Sequence, residues 1–377
     1  DLFIFSLTMA FQNFFLVLAI PFFCFVSKCE GCSNFILKPD EFSVISGRTM
    51  DFGFWQGFAL EAVPIGHSFY YNSTSVQHIP SLVSKYGFLG IYASSPVSTT
   101  GILRAVTAGI NTNGLTCDLQ TLIGTSYPKF PNDDDSITAI DVAIFCEWVL
   151  ASFSSTTEVV ETLQPSDNTK SKYIVVGPDA FGSHFVVRDS QGSSAVIEFL
   201  NEETMIHYDN DDGITGFGIM TNEPPYPWHV ENAAHMDWKR SMARSAVAIP
   251  GGFYPDERFL RLHLLKDGLD IPTSYRNKIQ QSLYLIDSVT VTPGKIPGTD
   301  SGKGEGPGDH TVFGLVYDHS QQPNTTLYWR TYADHSLQRV VLSDLGLNEE
   351  NSSQHEVSKL NMANDLPWFT DASFAFE

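Results

Sequence analysis

Gly31-Cys32, followed by Gly47-Arg48-Thr49-Met50-Asp51, is where this sequence concentrates reactive groups: Arg48 and Asp51 lie 16 and 19 residues beyond the cysteine. A thiol attacks as the thiolate, a state that a neighbouring guanidinium favours. A cysteine that begins a chain also carries an α-amine, whose unperturbed pKa of roughly 7.7 to 8.0 suits it to take the thiol proton. The preceding segment gives Cys32 a route to that position. From Phe14 to Val26 it reads FFLVLAIPFFCFV, 13 residues without a charge. That is the length of a secretory leader's apolar region and short of the ~20 residues that cross a membrane. A cut after Gly31, with Cys29 two residues before it, would expose Cys32. Residues 1–31 are thus expected to be a leader removed on maturation, 32–345 the functional domain and 346–377 a polar tail, with no stable membrane anchor.

Two later residues suit the same chemistry. Asn222, in Met-Thr-Asn-Glu-Pro-Pro, offers an amide donor to an oxyanion, and Arg258, in Asp-Glu-Arg-Phe, could complete the charge balance. Asp51 could hold or orient the Cys32 amine. Taken singly, each has a plainer reading: Arg48 with Asp51 as a packing ion pair, Asn222 as a turn residue, Arg258 as a solvent-facing helix residue.

Composition narrows the classes. A formal net charge of −21 argues against nucleic acid and anionic membrane surfaces as partners. Apolar content of 42% suits a large folded unit. Of five cysteines, Cys24 and Cys29 would leave with the leader, and Cys117 and Cys146 read as buried strand and helix core, not as a disulfide framework. Sequons at Asn72, Asn324 and Asn351 suit a secreted or lysosomal glycoprotein. No metal or cofactor is expected: the 11 histidines form no His-Glu-x-x-His, and Asp209-Asn210-Asp211-Asp212-Gly213 lacks the terminal glutamate of a calcium loop.

The elements that must position these residues come in runs. Ser33–Leu37 and Phe42–Ser46 read as an opening hairpin, with Arg48 on a strand after it. Phe58–Ile65, Tyr86–Ala93 and Ala105–Gln120 continue as strands, the last turning at Asn111–Gly114. Val142, Cys146, Val149, Leu150 and Phe153 recur at helical spacing behind a Thr138/Asp141 cap, and Ser155 with Glu158 caps a second helix. Further strands fall at His184–Arg188 and Ala195–Leu200, and helices at Glu257–Asp267 and Ser274–Asp287. Pro293–Asp309 reads as a mobile loop, and His310–Asp318, Leu327–Ala333 and Gln338–Leu342 as a closing meander. Runs of strands separated by runs of helices favour stacked antiparallel sheets covered by helices.

In combination the motifs are distinctive. Cys32-Ser-Asn-Phe, Gly47-Arg-Thr-Met-Asp51, Gly109-Ile-Asn-Thr-Asn-Gly-Leu115, Met220-Thr-Asn-Glu-Pro224 with Trp228-His-Val-Glu-Asn232, and Glu257-Arg-Phe259 resemble, in order, the choloylglycine hydrolase family among the N-terminal nucleophile hydrolases. The resemblance implies an α+β, four-layer αββα fold and hydrolysis of linear, non-peptide amides such as bile-salt conjugates, penicillin V or N-acyl amines. It puts the nucleophile on Cys32 and the supporting residues on Arg48, Asp51, Asn222 and Arg258. Where the family has Asn or Tyr helping the oxyanion hole, this chain has Thr121, with Gln120 as the neighbouring alternative. Phe54 and Trp55 are candidates for an apolar acyl pocket. A homo-oligomer is common in such families. The contrasting expectation is a secreted protein of the same fold that binds a lipid-like or acyl ligand without turning it over.

Overall fold

The first apolar run and the segment carrying Gly47–Asp51 pair as two strands of one hairpin, and the rest of the fold is built outward from them. The computed structural model describes residues 31–38, 40–52, 58–71, 81–97, 101–131, 136–166, 171–209, 218–242, 248–293, 310–321, 323–348 and 358–361. The expectations at residues 1–30, Phe54, Trp55, Asn72, 210–213, 294–309 and Asn351 lie outside these.

The chain begins with β1 (Ser33–Ile36), β2 (Ile45–Phe52) and β3 (Phe58–Val63), then the short pair β4 (Ser68–Phe69) and β5 (Leu82–Val83). The long hairpin β6 (Phe88–Val97) and β7 (Gly101–Asn111) leads through the Asn111–Gly114 turn into β8 (Thr116–Thr121). Next come β9 (Thr138–Asp141), α1 (Phe145–Ser152), α2 (Thr156–Leu163), β10 (Tyr173–Val176), β11 (Ser183–Arg188), β12 (Ser194–Leu200) and β13 (Glu203–Asp209). β14 (Ile219–Thr221), α3 (Tyr226–Met242), α4 (Pro255–Asp267) and α5 (Tyr275–Val289) follow. The chain closes with β15 (His310–Asp318), β16 (Thr326–Thr331), β17 (Gln338–Val341) and β18 (Ser358–Asn361).

Two large antiparallel sheets result. One runs β14-β1-β2-β15-β16-β17, and the other β13-β12-β11-β8-β7-β6-β3-β18. Helices α4 and α5 pack on the outer face of the six-stranded sheet, with α3 against α4, while α1 and α2 cover the eight-stranded sheet. This is the expected α+β, four-layer αββα arrangement. Alternation of side chains along each strand divides the interior into layers. Phe145, Val149, Phe185 and Phe199 fill the space beneath α1 and α2, while Met50, Ile91, Leu315 and Trp329 lie between the sheets.

Several local expectations are corrected. Arg48 lies within the second strand of the opening hairpin, because β2 runs on to Phe52. Thr138–Asp141 is a strand paired in parallel with β10, and Asp141 caps a short 3-10 turn by accepting a hydrogen bond from Ala143 N. The Ser155 cap is present, its side chain accepting from Glu158 N. Cys117 and Cys146 are buried as expected but are bonded to each other, with Cα atoms 5.3 Å apart. The α1 stripe lies directly on β8, a contact across 29 residues that neither local pattern reveals. The apolar stripe of α3 is weak, with only Tyr226, His229 and Ala233 buried along 17 residues. The patternless tail contributes β18, which pairs with β3 at the sheet edge.

Candidate active site

Cys32 sits at the start of β1, 2% exposed, between β14 and β2. The register that sets Ser33 opposite both Thr49 and Thr221 brings Asn222 beside it from a position 190 residues later. Each polar atom of Cys32 meets a different residue. Its nitrogen donates to Asn222 Oδ1 at 2.7 Å, and its carbonyl accepts from Arg258 Nη1 at 2.6 Å. Its sulfur lies 3.9 Å from Arg48 Nη2 and 3.6 Å from Met50 Sδ.

The Arg-Thr-Met-Asp spacing has a structural reason. Residues three apart on a strand point to opposite faces. Arg48 therefore enters the inter-sheet layer with Met50, where the sulfur is, while Asp51 emerges on the helix-covered face with Thr49. There Asp51 Oδ1 accepts from Thr311 Oγ1 on the neighbouring strand, and Thr49 Oγ1 accepts from Ser33 N at 3.2 Å. Gly31 lies against Asp51: a Cβ at Gly31 would fall 2.1 Å from the Asp51 Cβ, so any larger residue before Cys32 would clash with that side chain.

Asn222 and Arg258 are tied together. Arg258, which on its plainer reading would face solvent, is fully buried on α4 and donates to Ser33 Oγ at 2.5 Å, to Asn222 Oδ1 at 3.1 Å and to Phe253 O at 2.9 Å. It acts as a hydrogen-bonding clamp. The Asn222 amide nitrogen, expected as an oxyanion donor, is directed at Thr121, 3.0 Å from its carbonyl and 2.9 Å from its hydroxyl. Thr121 is thus the residue that meets Asn222. Gln120 projects from the opposite face of β8, fully buried opposite His184, and takes no part in this contact.

Two groups of supporting residues escaped the sequence reading. The first is Asp118, whose carboxylate receives Arg48 Nη1 at 3.3 Å, Asn34 Nδ2 at 2.6 Å and Tyr317 Oη at 2.7 Å, every partner being fully buried. Arg48 is anchored further by the Thr107 and Leu119 carbonyls. Burial works to lower the Arg48 pKa, but its neighbours, Asp118 foremost, outweigh it and leave the guanidinium raised. Burial, reinforced by Asp118, holds the Tyr317 phenol well above its usual range, so it remains a donor. The alternation of β8, with Cys117 and Leu119 outward and Asp118 inward, is the only signal that marked this carboxylate.

The second group backs Asn222. His229 Nε2 lies 3.1 Å from the Asn222 carbonyl, which can only accept, so that nitrogen carries the proton. The ring stacks on Phe259 at 4.6 Å, one residue from Arg258. Burial pushes His229 down to about 4, and it is neutral at physiological pH. Glu198 accepts from Tyr226 N at 2.9 Å and pins the start of α3. Burial works to raise its pKa, yet hydrogen bonds from His184 and His207 hold the carboxylate at about 2.

Among the described residues no group of three or more His, Cys, Asp or Glu side chains is arranged to hold a metal ion, and no helix is long and apolar enough to cross a membrane.

Comparison with known proteins gives consistent matches. The family model of linear amide C–N hydrolases, choloylglycine hydrolase family, matches residues 32–356. A bile salt hydrolase/transferase from Clostridium perfringens is 27% identical over 261 residues, which is 63% of this chain and 72% of that protein. Among solved structures, a penicillin V acylase from Agrobacterium tumefaciens superposes with a TM-score of 0.69 at 21% identity, covering 88% of this chain and 91% of its own. The R18L variant of a conjugated bile acid hydrolase from Clostridium perfringens gives 0.66 at 21% identity, over 88% and 97%.

Proposed function

Because the chain belongs to the choloylglycine hydrolase family of linear amide C–N hydrolases, we propose that it cleaves acyl amides with Cys32 as nucleophile, once Cys32 has become the first residue of the mature protein. The observation that carries this reading is the separate engagement of the nitrogen, carbonyl and sulfur of Cys32 by Asn222, Arg258 and Arg48. A residue that needed only to pack would not require three polar anchors, two of them buried arginines that are costly to desolvate.

In the proposed reaction the sulfur attacks the acyl carbon while the thiol proton passes to the Cys32 amine, whose orientation Asn222 Oδ1 maintains. The carbonyl electron pair moves to oxygen, which takes over Asn222 Nδ2 hydrogens now shared by the Thr121 oxygens. One such donor contributes on the order of 3 kcal/mol. Collapse expels the amine with the proton from the Cys32 nitrogen, and water then resolves the thioester. Asp51, on the other face of β2, serves the amine side and Arg48 the sulfur side.

Bile-salt conjugates, penicillin V and N-acyl amines are the substrate classes proposed, and the leader and sequons favour an extracytoplasmic setting. A protein that binds without turnover is the weaker reading, since no observation favours it over hydrolysis. The test is mass mapping of the secreted protein's N-terminus together with a panel of acyl amides. A chain beginning at Cys32, active until its thiol is alkylated or its α-amine acetylated, is expected. Full activity after N-terminal acetylation would exclude the amine, and full activity in Cys32→Ala would exclude the nucleophile.

A further inference from the structure

The guanidinium that faces the Cys32 sulfur is not an uncompensated charge. Arg48 Nη1 is 3.3 Å from the Asp118 carboxylate, both side chains are fully inaccessible, and the carboxylate is held by Asn34 and Tyr317 as well. Bonds of this number, one of them to a guanidinium, fix a carboxylate in one place. Solvent cannot screen it there, so the sulfur experiences Arg48 and Asp118 together. Of the other groups that Cys32 meets, Arg258 reaches its carbonyl and Asn222 its nitrogen. On the sulfur's own side lie the thioether of Met50 and the carbonyl of Asp51, neither of which favours an anion.

We propose that Asp118 keeps the resting Cys32 sulfur a thiol, by cancelling the cation that would otherwise hold it as a thiolate. This rests on Cys32 being the nucleophile. Asp118 is a positioning residue: it fixes Arg48 and sets the sulfur's protonation state without touching substrate. The Arg48–Asp118 dyad then contributes little net charge, and the proton leaves sulfur only during attack, to the Cys32 amine. Such a site resists alkylation and oxidation between turnovers, because both reactions need thiolate.

The mature protein and Asp118→Asn are compared by ultraviolet thiolate absorbance and by the rate of iodoacetamide alkylation as functions of pH. An ordinary thiol titrates near roughly 8.5, and removing an adjacent like charge moves a pKa by about one unit or more. The unaltered protein is expected to be a thiol at about pH 6. In Asp118→Asn the transition moves to lower pH by about one unit or more, alkylation at about pH 6 accelerates roughly tenfold, and the acid limb of the hydrolysis profile moves with it. A transition unmoved in Asp118→Asn, or moved upward, overturns the proposal. If that variant does not fold, the unaltered protein still decides, since a thiolate already formed at about pH 6 also overturns it. Alkylation of Cys32 that left hydrolysis intact would instead discard the nucleophile reading, wherever the transition fell.

Discussion

The layer beneath α1 and α2 and the layer between the two sheets are both sealed from solvent, yet they are built by opposite rules. The outer layer is a nearly continuous set of aromatic and aliphatic side chains around the Cys117–Cys146 bond. Of its buried acids, Glu147 is satisfied by the Tyr71 and Tyr92 hydroxyls and Glu61 by Arg104. The inter-sheet layer holds Arg48, Asp118, Arg188, His184 and Glu198 without exposure above 1%. It also contains buried atoms with no protein hydrogen-bond partner, including Arg48 Nε, Arg188 Nη1, His184 Nε2 and both polar atoms of the Gln120 amide. Each such atom costs about 1–3 kcal/mol. The outer layer contributes none among the described residues. One layer therefore supplies stability, and the other consumes some of it to hold buried charges, Arg48 beside Cys32 among them.

Substitutions should separate the two layers. Cys32→Ala is expected to remove at least roughly 10⁴-fold of the hydrolytic rate while leaving the thermal midpoint close to that of the unaltered protein; a large fall in the midpoint would mean that Cys32 holds the inter-sheet layer together. Phe185→Ala, in the outer layer, should do the reverse. It is expected to cost about 3–5 kcal/mol in denaturant unfolding, with the rate per folded molecule unchanged.

Acid should enter through the inter-sheet layer. His319 bridges the sheets, bonding Ser46 Oγ and the Gly114 carbonyl at 2.7 Å each, and burial depresses its pKa to about 4. Its neutral form is the one the fold accommodates, so stability is complete above the unfolded pKa of about 6.5 and falls as pH drops from there to about 4, by roughly 3 kcal/mol at most. In His319→Gln, unfolding free energies measured across that window should lose this part of the slope. An identical slope in the variant would assign the effect to other groups.

The smallest effect is expected at His229. His229→Phe keeps the stack on Phe259 but loses the donor to the Asn222 carbonyl, and should lower kcat about tenfold with KM little changed. His229→Gln, which restores a donor, should recover much of the rate. Equal loss in both variants would reduce His229 to packing.

The same division governs what the sequence revealed. The hydrophobic stripes of α1 and α4 and the alternation of β11 and β15 were legible because they face apolar layers. Cys32, Arg48 and Asp51 were legible because three residue types that do chemistry stand close together, and Asn222 and Arg258 because they complete an ordered set of motifs. Asp118, Tyr317 and His229 were hidden, since each acts through contacts spanning 70 residues, 199 residues or a single unrecognised helix. The disulfide was obscured in the same way. Local pattern reports which face a side chain takes and gives little about what it meets across the interior.

The strand order also dictates when the surroundings of Cys32 can assemble during synthesis. β2 is bracketed by β1, made almost at once, and by β15, which begins at His310. Asn222 and Arg258 arrive in between, and Thr311, which anchors Asp51, arrives with β15. Contacts of such high sequence separation form late, after the entropy of closing long loops has been overcome. A growing chain that has not yet released β15 therefore lacks part of the frame around Cys32, so the candidate site closes only after β15 has emerged and paired with β2.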